Sequence, residues 1–368
     1  MSAPLTIALD AMGGDHAPQM VLEGANIARR RFPQVRYLVF GDEQRIAPLL
    51  DRAAGLRDIC TLRHTPDAVG SSDKPSVALR TGRRSSMRLA IDAVDEGEAH
   101  GVVSAGNTGA LMAMSKIVLR TVPGIDRPAI ASYFPTLRGE SVMLDLGANV
   151  VCDADNLVQF AVMGEVFART VFGVSKPSIG LLNVGSEEQK GHEEVRAAAA
   201  QLRASDLPIH FHGFVEGDDI TAGTVDVVVT DGFTGNIALK TAEGTAKLYS
   251  EFLRGAFRSS LVARIGYLFA RNALDKVRKR TDPRRYNGAV FLGLNGVVVK
   301  SHGGTDALGF ANAIGVTVDM AANDFNSRIR DEIAHLHAAS AVKPQAVTDR
   351  KSTRLNSSHV SESRMPSS

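Results

Sequence analysis

The stretch Ile7-Ala-Leu-Asp10-Ala-Met-Gly13-Gly14-Asp-His16-Ala-Pro18 decides how this chain folds. An apolar strand ends on an acid, two glycines open a turn, and the proline suits the start of a helix. The same grammar recurs four times. Apolar runs stop at Ser104-Ala-Gly106-Asn107-Thr108-Gly109, Asp145-Leu-Gly-Ala-Asn149, Asn183-Val-Gly-Ser-Glu187 and Asp231-Gly-Phe-Thr234-Gly-Asn236. In open α/β sheets, ligands sit beyond the carboxyl ends of the strands, where glycines let backbone N–H groups and helix N-termini approach an anion. Five such ends predict a ligand site.

Outward from these motifs, strand-length apolar runs fall at about 5–10, 36–40, 59–63, 101–104, 129–134, 141–146, 178–183, 208–212, 226–230 and 289–300. Helical patterns separate most of them, which predicts a doubly wound, mostly parallel sheet of the α/β class. The runs are apolar on both faces, as expected where helices cover both sides. Helix starts are marked by Pro18, Ser76, Asn107 or Thr108, Asp153 or Asp155, and Thr234. The periodicity from Thr234 to Lys279 outlasts a crossover helix and predicts a projection at about 250–285. Residues 1–345 read as one domain.

The 368 residues are ample for a core. Two cysteines, Cys60 and Cys152, are too few for a disulfide framework and suggest a reducing, cytoplasmic setting. No leader peptide is read, and no apolar run reaches the roughly 18 residues of a spanning helix. Residues 346–368 are rich in serine, without an apolar period, and are expected to be disordered and non-native. Without them, four of 42 basic and two of 40 acidic residues disappear, leaving 38 of each sign. Within that neutral body, Phe252 to Arg285 holds ten Lys or Arg against Asp275 and Asp282, which invites an acidic partner.

The amides, hydroxyls and backbone N–H groups of Ser104, Gly106, Asn107 and Thr108 suit a phosphate or a carbonyl oxygen. Neither a Walker A loop nor a dinucleotide fingerprint is present. A capped strand-to-helix turn is the competing reading. With a helix starting near Thr234, Asn236 would lie in its first turn and Lys240 one turn on, adding a point charge. Asn183 and Lys190 supply another amide and lysine, and Lys300-Ser-His302-Gly-Gly304 closes the set. His16 and His302 are the histidines best placed for proton transfer. No His-x-x-x-His, Cys-x-x-Cys or dense acidic cluster calls for a metal. Cys152 reads as a small buried residue rather than a nucleophile.

Together, Ala8 to Pro18, Ser104 to Ala110, Leu144 to Asn149, Leu182 to Gly185 and Asp231 to Asn236 resemble the bacterial PlsX family, in order, over the chain to about residue 340. The segment from Asp231 to Lys240 also resembles the Asn-Thr-Gly-Asn-Ile segment of phosphate acetyltransferases. The resemblance implies a three-layer α/β/α fold related to phosphate acetyltransferases and isocitrate dehydrogenases, and a homodimer. It implies that acyl-ACP (acyl carrier protein) and inorganic phosphate give acyl phosphate and free ACP for phospholipid synthesis, feeding a membrane glycerol-phosphate acyltransferase. No cofactor and no nucleic acid enter.

On this reading Ser104, Asn107, Thr108, Asn236 and Lys240 surround the phosphate, with Asp10, Gly13, Gly14, Gly106 and Thr234 shaping the loops. Asn149, Asn183 and Lys190 complete the pocket, and His16 or His302 steers protons. Arg254, Arg278, Arg280, Arg284 and Arg285 would steer ACP. Phe257, Leu261, Ile265 and Leu268 would dip into an anionic membrane at the cytoplasmic face, or else pack a dimer. An enzyme acting on acyl-CoA, a β-decarboxylating dehydrogenase and a non-enzymatic phosphate sensor remain as rivals.

Overall fold

The computed structural model describes residues 5–53, 55–205 and 209–341; the tail at 346–368 lies outside the described residues. Among the described residues eleven strands form one sheet: β1 (Thr6–Asp10), β2 (Arg36–Gly41), β3 (Cys60–His64), β4 (Gly101–Ser104), β5 (Ala129–Pro135), β6 (Glu140–Leu144), β7 (Ser178–Leu182), β8 (His210–Val215), β9 (Val227–Val229), β10 (Ala289–Leu292) and β11 (Val297–Lys300). Their order is β3-β2-β1-β4-β11-β10-β5-β6-β9-β7-β8. The helices are α1 (Gln19–Arg31), α2 (Glu43–Arg52), α3 (Pro75–Thr81), α4 (Ser86–Asp95), α5 (Thr108–Val118), α6 (Ala154–Phe172), α7 (Glu193–Ala204), α8 (Gly217–Ala222), α9 (Gly232–Arg258), α10 (Leu261–Arg280), α11 (Ala307–Ala322) and α12 (Phe325–Ala341).

Strand side chains alternate between two cores. Ile7, Leu9, Val103, Val142 and Leu144 join the core that includes Ala25 of α1, Phe160 and Phe167 of α6, and Phe310 of α11. Ala8, Val102, Met143 and Val228 join the core of Met87 and Ile91 from α4 and Leu111 and Met114 from α5. A period-2 strand buried on both faces needs cover on both, and the result is three layers.

The expected run at 289–300 is two strands rather than one. The turn Gly293-Leu-Asn-Gly296 breaks it into the antiparallel pair β10–β11. Pairings β10–β5 and β5–β6 are antiparallel as well, while the other seven are parallel. Three reversals in succession set β6, β9, β7 and β8 running opposite to β1, β2, β3, β4 and β11. The loops after β1, β4 and β11 therefore leave the sheet in one direction, and those after β6, β7 and β9 in the other.

The projection exists but is longer than expected. It is a helical hairpin of α9 and α10, in which Gly232 and Gly235 are the buried residues of α9 and α10 has none. α9 starts at Gly232, two residues before the expected Thr234, because Asp231 caps it by accepting from the Thr234 N–H. Asn236 consequently falls in the second turn. Phe257 and Tyr267 stack edge to face at 5.4 Å across the hairpin. Arg280 donates to the carbonyls of Thr136 and Leu137, each at 3.0 Å, and anchors the end of α10 to the β5–β6 turn.

Candidate active site

At the ends of β1, β4 and β11, Asp10 is 1% exposed and Ser104 fully buried. One carboxylate oxygen of Asp10 accepts from Ser86 Oγ at 2.6 Å, and the other from Ser104 Oγ at 2.6 Å. Burial pushes the Asp10 carboxyl upward, and these two hydroxyls oppose it. The loops close tightly on this carboxylate. A Cβ on Gly13 would lie 2.5 Å from Asp10 Oδ2 and 2.7 Å from the Gly106 nitrogen. Gly14 adopts φ +105°, a conformation that side chains disfavour.

Lys300 ends β11 in register with Ser104. Its ammonium donates to the carbonyls of Ser301 and Ala105. Burial pushes the amine down to about 8, against the pull of the Asp10 and Asp15 carboxylates. A half-buried lysine is costly, so its position at a strand end beside the glycine loops calls for an explanation. The loops carrying the two expected histidines adjoin, since the Asp15 N–H donates to the Gly303 carbonyl at 2.9 Å. Both rings are exposed. His302 Nδ1 accepts from the Gly304 N–H at 3.2 Å, which places the neutral ring's proton on Nε2. His16 lines an open recess with Pro18, Arg45 and Leu49.

Asn107 is the N-cap of α5, accepting from the Ala110 N–H at 3.0 Å. Its amide also donates to the carbonyls of Ser71 and Asp73 at 2.9 Å, tying the segment before α3 to the site. The Asn107 side chain thus joins the start of α5 to that segment, while the first-turn N–H groups of α5, near Thr108, lack intrahelical partners.

The remaining expected site residues do not join this group. Among the described residues no hydrogen bond or ion pair links the two sets of loops. Asp145 is fully buried and accepts from the N–H groups of Ile130, Ala148 and Asn149 and from the Asn149 amide, at 2.6–3.0 Å. Asn149 also donates to the Pro128 carbonyl at 2.8 Å. Asn236 donates to the Leu146 carbonyl at 3.1 Å, and Thr234 to Asp231. A Cβ on Gly235 would lie 2.0 Å from the Asp145 carbonyl oxygen. These polar groups hold α9 against the end of β6. Lys240 is exposed and paired with Glu243 at 2.7 Å. Cys152 is buried, and burial with the neighbouring Asp145 and Asp231 pushes its thiol up to about 12, which suppresses the thiolate a nucleophile requires.

Asn183 donates to the Lys190 carbonyl and accepts from the Val184 N–H, closing its own loop. Lys190 faces Glu187 at 3.9 Å with about half its side chain exposed. Among the described residues, the loops that carry Ser104 and Asn107 therefore leave the sheet opposite to those that carry Asn149, Asn183, Lys190 and Asn236, with Lys240 farther along α9.

The arginines expected to meet ACP are partly consumed by the fold. Arg284 pairs with Asp282 at 2.6 Å and Asp306 at 3.0 Å, Arg254 with Glu251 at 2.5 Å, and Arg280 is anchored as described. Arg278 and Arg285 remain exposed. Lys300 carried a usable signal, a charged residue ending an apolar run. Ser86 carried none, being 76 residues from its partner Asp10.

The three-layer fold and the glycine-lined strand ends define a protein of the phosphotransacetylase architecture. The phosphotransacetylase of Streptococcus pyogenes superposes with a TM-score of 0.60 over 88% of this chain and 95% of its own, at 17% identity. EutD phosphotransacetylase from Staphylococcus aureus gives 0.54 over 86% and 94%, also at 17%. At that identity the likeness carries the fold alone. Curated relatives in Rhodospirillum centenum and Paramagnetospirillum magneticum, both called phosphate acyltransferase, are 70% and 67% identical over 94% and 92% of this chain and 98% and 97% of theirs. The profile described as "Fatty acid synthesis protein" matches residues 5–328. The chain belongs to this fatty acid synthesis protein family, the PlsX family of phosphate acyltransferases.

Proposed function

We propose that this acyltransferase moves an acyl group from acyl-ACP to inorganic phosphate, releasing acyl phosphate and free ACP, at the ends of β1, β4 and β11. The carrying observation is the convergence there of the Lys300 ammonium, the N-terminal amides of α5 and two glycine loops. That set of donors suits a small dianion.

A phosphate oxygen attacks the thioester carbonyl, forming the C–O bond; the C–S bond then breaks and the thiolate takes a proton from solvent. Phosphate is already nucleophilic near neutral pH and a thiolate leaves readily, so positioning and oxyanion donors do most of the work. Asp10, held by Ser86 and Ser104, orients the loops and keeps Lys300 cationic. No cofactor is required.

Purified protein is expected to release thiol from acyl-ACP only when phosphate is present, with a hydroxylamine-reactive acyl product. Phosphate-independent release would overturn the reading. Asn107→Ala is expected to lower kcat/KM by ~10-fold or more, since it uncaps α5 and frees the segment before α3. Unchanged kcat and KM for phosphate in the folded variant would remove Asn107 from the site.

The hairpin is proposed as the contact with a second copy and with anionic membrane. Leu261 at its tip is 76% and Phe269 midway along α10 is 87% exposed, with Ile265 and Leu268 between them in sequence also exposed. Such a surface is unusual on a monomer. Among the described residues no helix is long and apolar enough to cross a membrane. Wild type is expected to float with anionic vesicles and Leu261→Asp to float several-fold less; equal flotation would leave the hairpin to dimer packing alone.

A further inference from the structure

We infer that the exposed basic rim formed by Lys74, Arg80, Arg83 and Arg84 is where the acidic carrier protein docks. This rests on the proposed acyl-ACP chemistry and moves the docking surface from α10 to the segment covering the site.

The segment from Thr65 to Ser85 is bolted down at both ends. The Thr65 N–H donates to the Gly41 carbonyl and its hydroxyl to the Arg84 carbonyl, while the Ser86 N–H donates to the Asp67 carbonyl. Its middle is held by Asn107 through Ser71 and Asp73. Ser86, the residue after this segment, places its hydroxyl 2.6 Å from Asp10. Two residues span at most about 7 Å of extended chain, so the Arg84 backbone cannot lie far from the floor of the site. The rim is consequently a fixed ledge at the mouth.

Its charge is uncompensated. Between Thr65 and Ser85 there are four cations, Lys74, Arg80, Arg83 and Arg84, against two acids, Asp67 and Asp73. All four cations are exposed. Among the ion pairs of the described residues none uses them, although the neighbouring Arg63 and Arg88 are paired with Glu98 and Asp92. The α10 arginines contrast with this, because Arg280 and Arg284 spend their donors on the protein's own carbonyls and carboxylates. A carrier must set its body down near the site while its tethered thioester enters it. Rigid, unpaired cations at the rim steer an acidic body and fix its orientation.

The test compares wild type with the triple variant Arg80→Glu, Arg83→Glu, Arg84→Glu, and with the milder triple Gln variant. Each is assayed for direct ACP binding, and for phosphate-dependent thiol release from acyl-ACP and from the same acyl group on free pantetheine. The Glu variant is expected to lose ACP binding and at least ~10-fold in kcat/KM for acyl-ACP, with a flattened salt dependence. The Gln variant should fall between, and both should keep acyl-pantetheine activity and phosphate KM within about twofold. Equal losses on both thioesters, unchanged ACP binding, or a cluster that binds anionic vesicles instead of ACP would overturn the rim. Wild type that releases thiol from neither substrate would overturn the proposed chemistry, and the binding comparison would still decide the rim.

Discussion

Lys300→Met is expected to lower kcat/KM for phosphate by at least ~100-fold while the variant melts within a few degrees of wild type. The reasoning begins with burial. An ammonium removed from water is expensive, and here burial has brought its pKa down to about 8 despite two nearby carboxylates. Methionine fills a similar channel without that cost, so the fold should persist. What disappears is a cation at the ends of β1, β4 and β11 that reaches the Ala105 carbonyl, three residues before α5, and charge-assisted contacts of this kind carry several kcal/mol toward an anionic transition state.

The pH profile separates this role from a merely structural one. Lys300 is cationic below about pH 8 and neutral above it. If the cation holds phosphate, kcat/KM falls as pH rises through that region. Asp10 from β1 and Asp15 from the following loop are the charged groups that act on it, and both favour the cation. Lys300→Met should lack this limb, whereas Lys300→Arg, which stays charged, should push it to higher pH and recover part of the activity. The ionisation of phosphate itself is common to all three proteins. A methionine variant with wild-type kcat/KM and an unchanged profile would remove Lys300 from the reaction.

Asp145→Ala is expected to have the largest effect on stability, on the order of 3–5 kcal/mol, or roughly 10 °C in Tm. The carboxylate is fully buried and gathers four N–H donors from Ile130, Ala148 and Asn149. Alanine leaves all four without an acceptor, at the point where the antiparallel centre of the sheet meets the N-terminus of α9. Asp231→Ala, which removes one helix cap, should cost about 1 kcal/mol and serves as the scale. At temperatures where the Asp145 variant is folded, its KM for phosphate should match wild type. A wild-type Tm with a raised phosphate KM would show that Asp145 and Asn149 form a ligand site after all.

Much of this protein was legible in its residues because the deciding features are local. A buried strand followed by acid and glycine reads the same in any context, and so do the caps at Asn107 and Asp153, which depend on atoms three residues away. The family likewise followed from short ordered motifs. Sequence could not tell which strand ends share a mouth. That depends on the parity of the antiparallel pairings in the centre of the sheet, and hence on the Gly293–Gly296 turn that splits one apolar run into two opposed strands.

Nor could it separate the two uses of one grammar. At β1 and β4 the glycines clear space around Asp10, whereas at β6 and β9 they let α9 pack on the Asp145 loop. The difference lies in long-range partners, Ser86 for Asp10 and Ile130 for Asp145. Local sequence by itself determined the elements and the chemistry available. Only the tertiary structure decided which of those groups meet, because strand direction and burial are set by pairings between residues far apart in the chain.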